Sequence, residues 1–412
     1  MNVIVKTLLR AVLGLNNLLA LSMLRINAQT LSMNNLASIL FFLQVLMACS
    51  AYDSGQYYYQ QLRESKSRFA IARETLFYVW RIIVVNLLVF LLVLLAGGAS
   101  YFRIGNPAGL LTVGLLLISL TATDEYQRFL LFFKGEKKWY EFQALRFCSF
   151  FLADVLAIFV IRNIMALAFL RACLGLWIAG RGSLWVSWLM LTRKKIDTSA
   201  LMHGYWTTLT SSGKIAVKQV FPTIFGYSDR LLVPMLPGSI FGAFYIFNYI
   251  ISLVVLIFDT VLVKARAAFF TGYRNTEHTR NFLVVAHLAS IGISILPFVF
   301  MLSIGDKNVE LSRIQLLAAA TLAGSSFLIQ STPTFANEIL FRLTDGSKLQ
   351  QIGFVSLLLC IGMLLLVRGF RLEEGIAALV ACLLYYLLCN LNGALLMWEI
   401  HRLTIGSERS SI

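Results

Sequence analysis

The sequence predicts an all-α integral membrane protein of about 12 transmembrane helices, arranged as two lobes of six. Three observations predict it. The 412 residues are 58% hydrophobic and only 13% charged, with a mean hydropathy of +0.77, whereas a soluble domain carries roughly a quarter charged residues. That leaves too little polar surface for a water-soluble body of this length, and a soluble enzyme is excluded. The second observation is a succession of apolar runs near the length of a bilayer span. The third is the placement of Lys and Arg, which alternates between successive connections.

A spanning helix needs about 20 mostly apolar residues. Runs of that length fall at 4–25, 32–52, 75–97, 107–130, 144–162, 164–190, 214–235, 239–263, 281–303, 314–336, 350–368 and 376–399. The fifth and sixth are interrupted by Arg162, Arg171 and Arg181. Lys6 and Arg10 at the start of the first run resemble the basic end of a secretory signal, but no small-residue cleavage site follows, so the run is expected to stay as an uncleaved helix. Residues 192–213 (TRKKIDTSALMHGYWTTLTSSG) form a polar connector. It divides an N-terminal lobe, 1–191, from a C-terminal lobe, 214–412, and an even number of spans in each makes them parallel repeats. An internal echo agrees: Arg25 lies 28 residues before Asp53, and Arg230 lies 29 before Asp259.

Short cytoplasmic loops hold an excess of Lys and Arg. With the N-terminus inside, 24 of the 35 cations fall in inner segments and only seven in outer ones, among them Arg25, Arg103 and Arg162. Arg81, Arg171, Arg181 and Arg230 remain within spans. Both termini are thus expected in the cytoplasm. The net charge of +15 reads as anchoring to anionic lipid and not as nucleic-acid binding.

Little else carries chemistry. The six cysteines show no paired spacing and read as small packing residues. The four histidines are scattered, and no phosphate-binding glycine loop occurs. No metal, cofactor or catalytic residue is expected, and the protein is not expected to be an enzyme.

The informative residues are charges inside apolar runs. Each costs about 2.5 to 3.5 kcal/mol at a helix centre, so such groups pair or line a wet cavity. Asp229 and Arg230 sit about 15 residues into the seventh run, roughly 22 Å from its inner end. They either form an ion pair that fixes the turn before Pro234 and Pro237 or contribute to a cavity. Arg81 (VWRIIVV) is flanked by apolar residues, and either snorkels along a lipid-facing surface or lines a cavity. Arg10 is comparably placed. Asp154 and Asp259 are too short to snorkel far; each is hydrogen-bonded within the bundle or acts as a proton carrier.

Arg10, Arg25, Arg81, Arg230 and Lys264 are therefore the candidate substrate-binding cations. Guanidinium groups grip phosphate oxygens through paired donors, which indicates an anionic cargo. Asp53, Asp154, Asp229 and Asp259 are the candidate coupling or structural carboxylates. Tyr245 and Tyr249 either stack on sugar faces or pack as ordinary aromatics.

The stretch DRLLVPMLPGSIFGAFYIFNYI, residues 229–250, resembles a segment of the polysaccharide transporter (O-antigen flippase, Wzx-type) family of the multidrug/oligosaccharidyl-lipid/polysaccharide (MOP) exporter superfamily. There an Asp and a basic residue precede a small-residue corner, a Gly and a nearby Tyr. YQRFLLFFKGEKKWYEFQALRF, 126–147, and ILFRLTDGSKLQQIGFVSLLLCIGMLLLVRGFRLEEGIAALVACLL, 339–384, resemble the family's basic link and its last two helices. One departure is local: Gly242 is followed by Ala243 and Phe244, so Tyr245 comes one place later than the family's pattern. The resemblance implies a MATE-like MOP flippase fold, two six-helix lobes around a central cationic cavity. It implies alternating access and transfer of an undecaprenyl-pyrophosphate-linked oligosaccharide across a bacterial inner membrane for surface or exopolysaccharide biosynthesis. A polysaccharide polymerase and chain-length proteins are the expected protein partners.

Two rivals belong to other classes. A multidrug and toxin extrusion-type exporter shares that fold but takes cationic cargo. A membrane-embedded polymerase or ligase usually carries a sizeable outer loop, whereas the longest outer connection here is about ten residues.

Overall fold

A computed structural model describes residues 15–27, 29–49, 68–179, 198–238, 276–297, 313–370 and 372–409, together with positions 241, 242, 244, 245, 248, 249, 251 and 255. Every regular element among them is helical; the longer ones are α1 (Asn16–Ile26), α2 (Thr30–Cys49), α3 (Arg68–Leu95), α4 (Pro107–Phe129), α5 (Glu136–Val155), α6 (Ile164–Ala179), α7 (Thr198–Gly226), α8 (Thr276–Ile293), α9 (Arg313–Gln330), α10 (Thr332–Thr344), α11 (Ser347–Gly369) and α12 (Glu374–Arg409), and single turns lie at Gly98–Tyr101, Asp229–Leu232 and Val233–Met235. Single wide turns extend α4 through Leu130–Lys134 and α5 through Leu156–Ile161. Among the described residues four stretches are long and apolar enough to cross a membrane: Pro107–Phe129, Lys137–Ile161, Ser347–Gly369 and Glu374–Leu403. The exposed Leu88, Leu91, Leu92 and Leu95 of α3 recur at helical spacing, giving that helix an apolar outer stripe suited to acyl chains.

The chain divides into two compact units, Val12–Val220 and Phe221–Ile412, with the boundary inside α7. In the first unit α4 and α6 approach closely because small residues meet: a Cβ on Gly175 would collide with the Ser119 hydroxyl. Close backbone approach through small residues is a common way for helices to associate where no hydrophobic effect drives them. In the second unit α9 presents Ala318, Ala319, Ala320, Ala323, Gly324, Ser325 and Ser326, all buried. A Cβ on Gly324 would stand 2.6 Å from the Ser294 carbonyl. Leu283, Ala286, Ala336, Ile339, Leu340, Leu349, Leu396 and Ile400 form a core drawn from α8, α10, α11 and α12.

Three boundaries differ from the expectation. Residues 198–213, expected as a polar connector, belong to α7. Their hydroxyls are absorbed within the helix, for Thr207, Thr210 and Ser211 donate to the carbonyls of His203, Trp206 and Thr207 at 2.8, 3.0 and 2.8 Å. The seventh run, expected as one helix over 214–235, stops at Gly226 and restarts as the short helix Asp229–Leu232 and a tighter turn at Val233–Met235. The tenth, expected over 314–336, ends at Gln330, and Pro333 in the first turn of α10 opens a new helix, a position where the missing N–H is harmless.

Gly353 on α11 faces Pro222 on α7 so closely that a Cβ would lie 2.5 Å from the proline nitrogen. Gly353→Val is expected to overpack this crossing and destabilise the protein by about 1 to 3 kcal/mol. Thermal unfolding in detergent should show a lower Tm, with a smaller drop for Val at Gly362, where a Cβ meets nothing within 4 Å.

Candidate functional site

Charged residues inside the first unit gather on helices whose sequence leaves no other place for them. Asp154 near the end of α5 and Arg171 on α6 are both buried and form a two-pronged ion pair, Nε to Oδ1 at 2.7 Å and Nη2 to Oδ2 at 2.6 Å. Arg171 Nη1 donates to Asn17 Oδ1 at 2.6 Å, and the Asn16 side chain donates to the Phe147 carbonyl at 3.0 Å. The Ser119 hydroxyl donates to the Arg171 carbonyl at 2.9 Å. The Arg171 guanidinium thus ties α1 and α5 to α6, its backbone carbonyl adds α4, and the Phe150 ring lies 5.6 Å from the guanidinium. A second, more accessible pair, Arg146 with Asp124 at 2.7 Å, joins α4 to α5 one level away.

Arg81 is placed differently. It lies on α3, only 4% exposed, and its Nε and Nη2 have no hydrogen-bond partner among the described residues. The Tyr78 ring, one turn earlier, sits 4.9 Å from its Cζ, an attraction weaker than a salt bridge. Five residues on, Asn86 donates to Thr121 of α4 at 2.7 Å and leaves its own Oδ1 without a partner. Thr121 and Glu125, one turn apart, are fully buried, and Arg128 approaches Glu125 at 3.9 Å. Asn86, Thr121 and Glu125 therefore form a buried polar strip between α3 and α4.

In the second unit Asp229 and Arg230 are both buried and pair with each other. Asp229 Oδ1 also accepts the Arg230 backbone N–H at 3.0 Å, and Oδ2 accepts the Ser326 hydroxyl of α9 at 2.5 Å. Ser228 is joined to the Tyr385 hydroxyl of α12 at 2.8 Å. Tyr227 lies beneath Arg230 at 5.9 Å, and Tyr245 and Tyr385 are within electrostatic reach. This constellation fixes the helix break to α9 and α12.

Of the residues singled out from sequence, Arg81 and Asp154 are buried in the first unit, and Arg25 is exposed at the end of α1. Asp229, Arg230 and Tyr245 are buried together in the second, with Tyr249 half-buried. Arg10, Asp53, Asp259 and Lys264 lie outside the described residues. Sequence reasoning passed over Arg171 as the partner of Asp154, Ser326 as the partner of Asp229, and the Asn86–Thr121 bond between α3 and α4. The signal available for the first was that Asp154 and Arg171 are opposite charges in consecutive spans, so each supplies what burial of the other requires.

No protein-family model matches the chain, and no curated protein sequence matches it. Among solved structures it is similar to the crystal structure of a eukaryotic MATE transporter, AtDTX14, with 13% identity over 97% of this chain and 95% of that one and a TM-score of 0.49.

Removing one member of the Asp154–Arg171 pair leaves the other buried and uncompensated, which costs about 3 to 5 kcal/mol. Asp154→Leu and Arg171→Met are each expected to lower Tm sharply, and the double substitution to recover much of the loss. A double-mutant cycle on Tm in detergent measures the coupling.

Proposed function

We propose that this chain is a transporter of anionic cargo, and specifically a flippase for a polyprenyl-pyrophosphate-linked oligosaccharide in a bacterial inner membrane. It works by alternating access and without covalent chemistry. The observation that carries the reading is Arg81: a buried guanidinium on an apolar helix, with two N–H-bearing nitrogens lacking acceptors. Holding an unpaired cation in hydrocarbon is costly. The charge becomes an asset when a phosphoryl group arrives, because a guanidinium binds two of its oxygens through parallel N–H bonds. Asn86 Oδ1, on the same helix as Arg81, adds a buried acceptor suited to hydroxyl-bearing cargo. The apolar outer face of α3 suits a polyprenyl tail that remains in the bilayer while its head moves.

Asp154 and Asp229 act as structural counter-ions in this reading, since each is held by a buried arginine. Coupling through their protonation is not required. A cationic-cargo exporter of the multidrug type would be hindered by an unpaired cation in its path.

The test has two arms. In a host strain deleted for the gene, Arg81→Ala is expected to abolish surface polysaccharide at unchanged protein level, and Arg81→Lys to restore part of it. In proteoliposomes the wild-type protein is expected to move a lipid-linked oligosaccharide and not a cationic dye. Normal polysaccharide with Arg81→Ala, or dye transport that survives it, would overturn the proposal.

A further inference from the structure

A second site lies in the first unit, about 21 Å along α3 from Arg81 at 1.5 Å per residue, where α3 ends and α4 begins. A pocket of about 310 Å³ opens there, lined by Arg103, Arg162, Ser32, Asn35, Asn106 and Asn163 among others, with no carboxylate among the described residues of its wall. The two arginines are exposed members of two different loops. They are also the cations that the alternation of Lys and Arg assigns to outer connections, one in each. Sequence distance hides that they face one space.

The pocket is built and not a chance dent. The Ser38 hydroxyl of α2 bonds the Phe102 carbonyl and holds the first loop against α2. Ile104 N–H donates to the Ala99 carbonyl at 2.7 Å, closing the turn behind Arg103. In the second loop Asn163 N–H donates to the Ala157 carbonyl at 3.1 Å, and Asn163 Oδ1 accepts the Met165 N–H at 2.8 Å. Arg103 and Arg162 both adopt left-handed backbone, φ +59° and +56°, a conformation common for glycine and uncommon for arginine. At each position the chain keeps a guanidinium where glycine would relieve the backbone. Three helices, α2, α4 and α6, also begin at this pocket, and their positive ends add to the same field.

We propose that this pocket binds a phosphoryl anion, with Arg103 and Arg162 gripping its oxygens from two sides and Ser32, Asn35, Asn106 and Asn163 supplying hydroxyl and amide contacts. Two guanidinium forks suit an anion with several oxygens better than a single carboxylate. The volume equals the liquid share of about ten waters, which accommodates a diphosphate. The ligand is either a soluble phosphate or the phosphate of a lipid headgroup at the outer interface. The pocket does not depend on the transport reading, because its residues and those around Arg81 share no member.

The test uses the full-length protein carrying Arg81→Ala, so that binding at Arg81 does not contribute. Asn tolerates left-handed backbone, so Arg103→Asn with Arg162→Asn removes both charges while sparing the turns, and Arg103→Lys with Arg162→Lys keeps the charge. Calorimetry with inorganic pyrophosphate in nanodiscs of neutral lipid is expected to show binding that the Asn pair weakens by at least about tenfold, the size of one lost charge-assisted hydrogen bond, and the Lys pair weakens less. Co-purified phosphatidylglycerol, measured by mass spectrometry, is the second arm. Loss of the lipid with the Asn pair, without pyrophosphate binding, assigns the pocket to a headgroup phosphate. Pyrophosphate and lipid both unaffected by the Asn pair, or neither bound by the parent, would overturn the proposal. Unchanged Tm of the Asn pair separates lost binding from lost fold.

Discussion

A bilayer offers no water to a buried charge, so every ionised group placed among apolar helices must find its compensation in the protein or in a ligand. The rest of the structure follows from how each arginine meets that demand. Arg171 meets it fully: two bonds to Asp154, one to Asn17, and a backbone carbonyl fixed by Ser119. The demand for partners draws α1 and α5 to the guanidinium on α6, and Ser119 of α4 bonds the backbone of the same residue. Small residues at the α4–α6 crossing then allow the approach that this bonding needs.

Arg230 meets the same demand locally, through its sequence neighbour Asp229, and the pair works as a latch. Asp229 holds Ser326 of α9, and Ser228 beside it reaches Tyr385 of α12. The break in the seventh apolar run is thereby held in place by polar bonds inside an apolar unit. Arg81 stands apart from both. Its ring contact with Tyr78 leaves two nitrogens of the guanidinium without acceptors. Stability alone favours methionine or leucine there, and an arginine in that place fits a group that spends part of its working cycle bound to something else.

Much of this was legible in the residues. Apolar length marked the runs that became α4, α5, α11 and α12, and the cost of burial singled out Arg81, Asp154, Asp229 and Arg230 before any coordinates. The pairing was less legible. Asp154 and Arg171 are 17 residues apart on different helices, and a wide turn at Leu156–Ile161 sets how they meet. Composition also misled at 198–213, because a run of Thr and Ser reads as a loop until its hydroxyls are seen returning to the preceding turn. Arg103 and Arg162, one to a loop, carried no signal of proximity at all, since only the packing of α2, α4 and α6 brings those loops to one pocket.

The claim that Arg81 is kept for a ligand and not for the fold has a direct measure in the stability of the cargo-free protein. Thermal unfolding in neutral detergent, with Arg81→Met beside Arg171→Met, separates an arginine that waits for an anion from one that already has it. The account predicts that Arg81→Met leaves Tm unchanged or raises it. A fall in Tm as large as that caused by Arg171→Met would show that Arg81 holds the helices together, and would contradict the account.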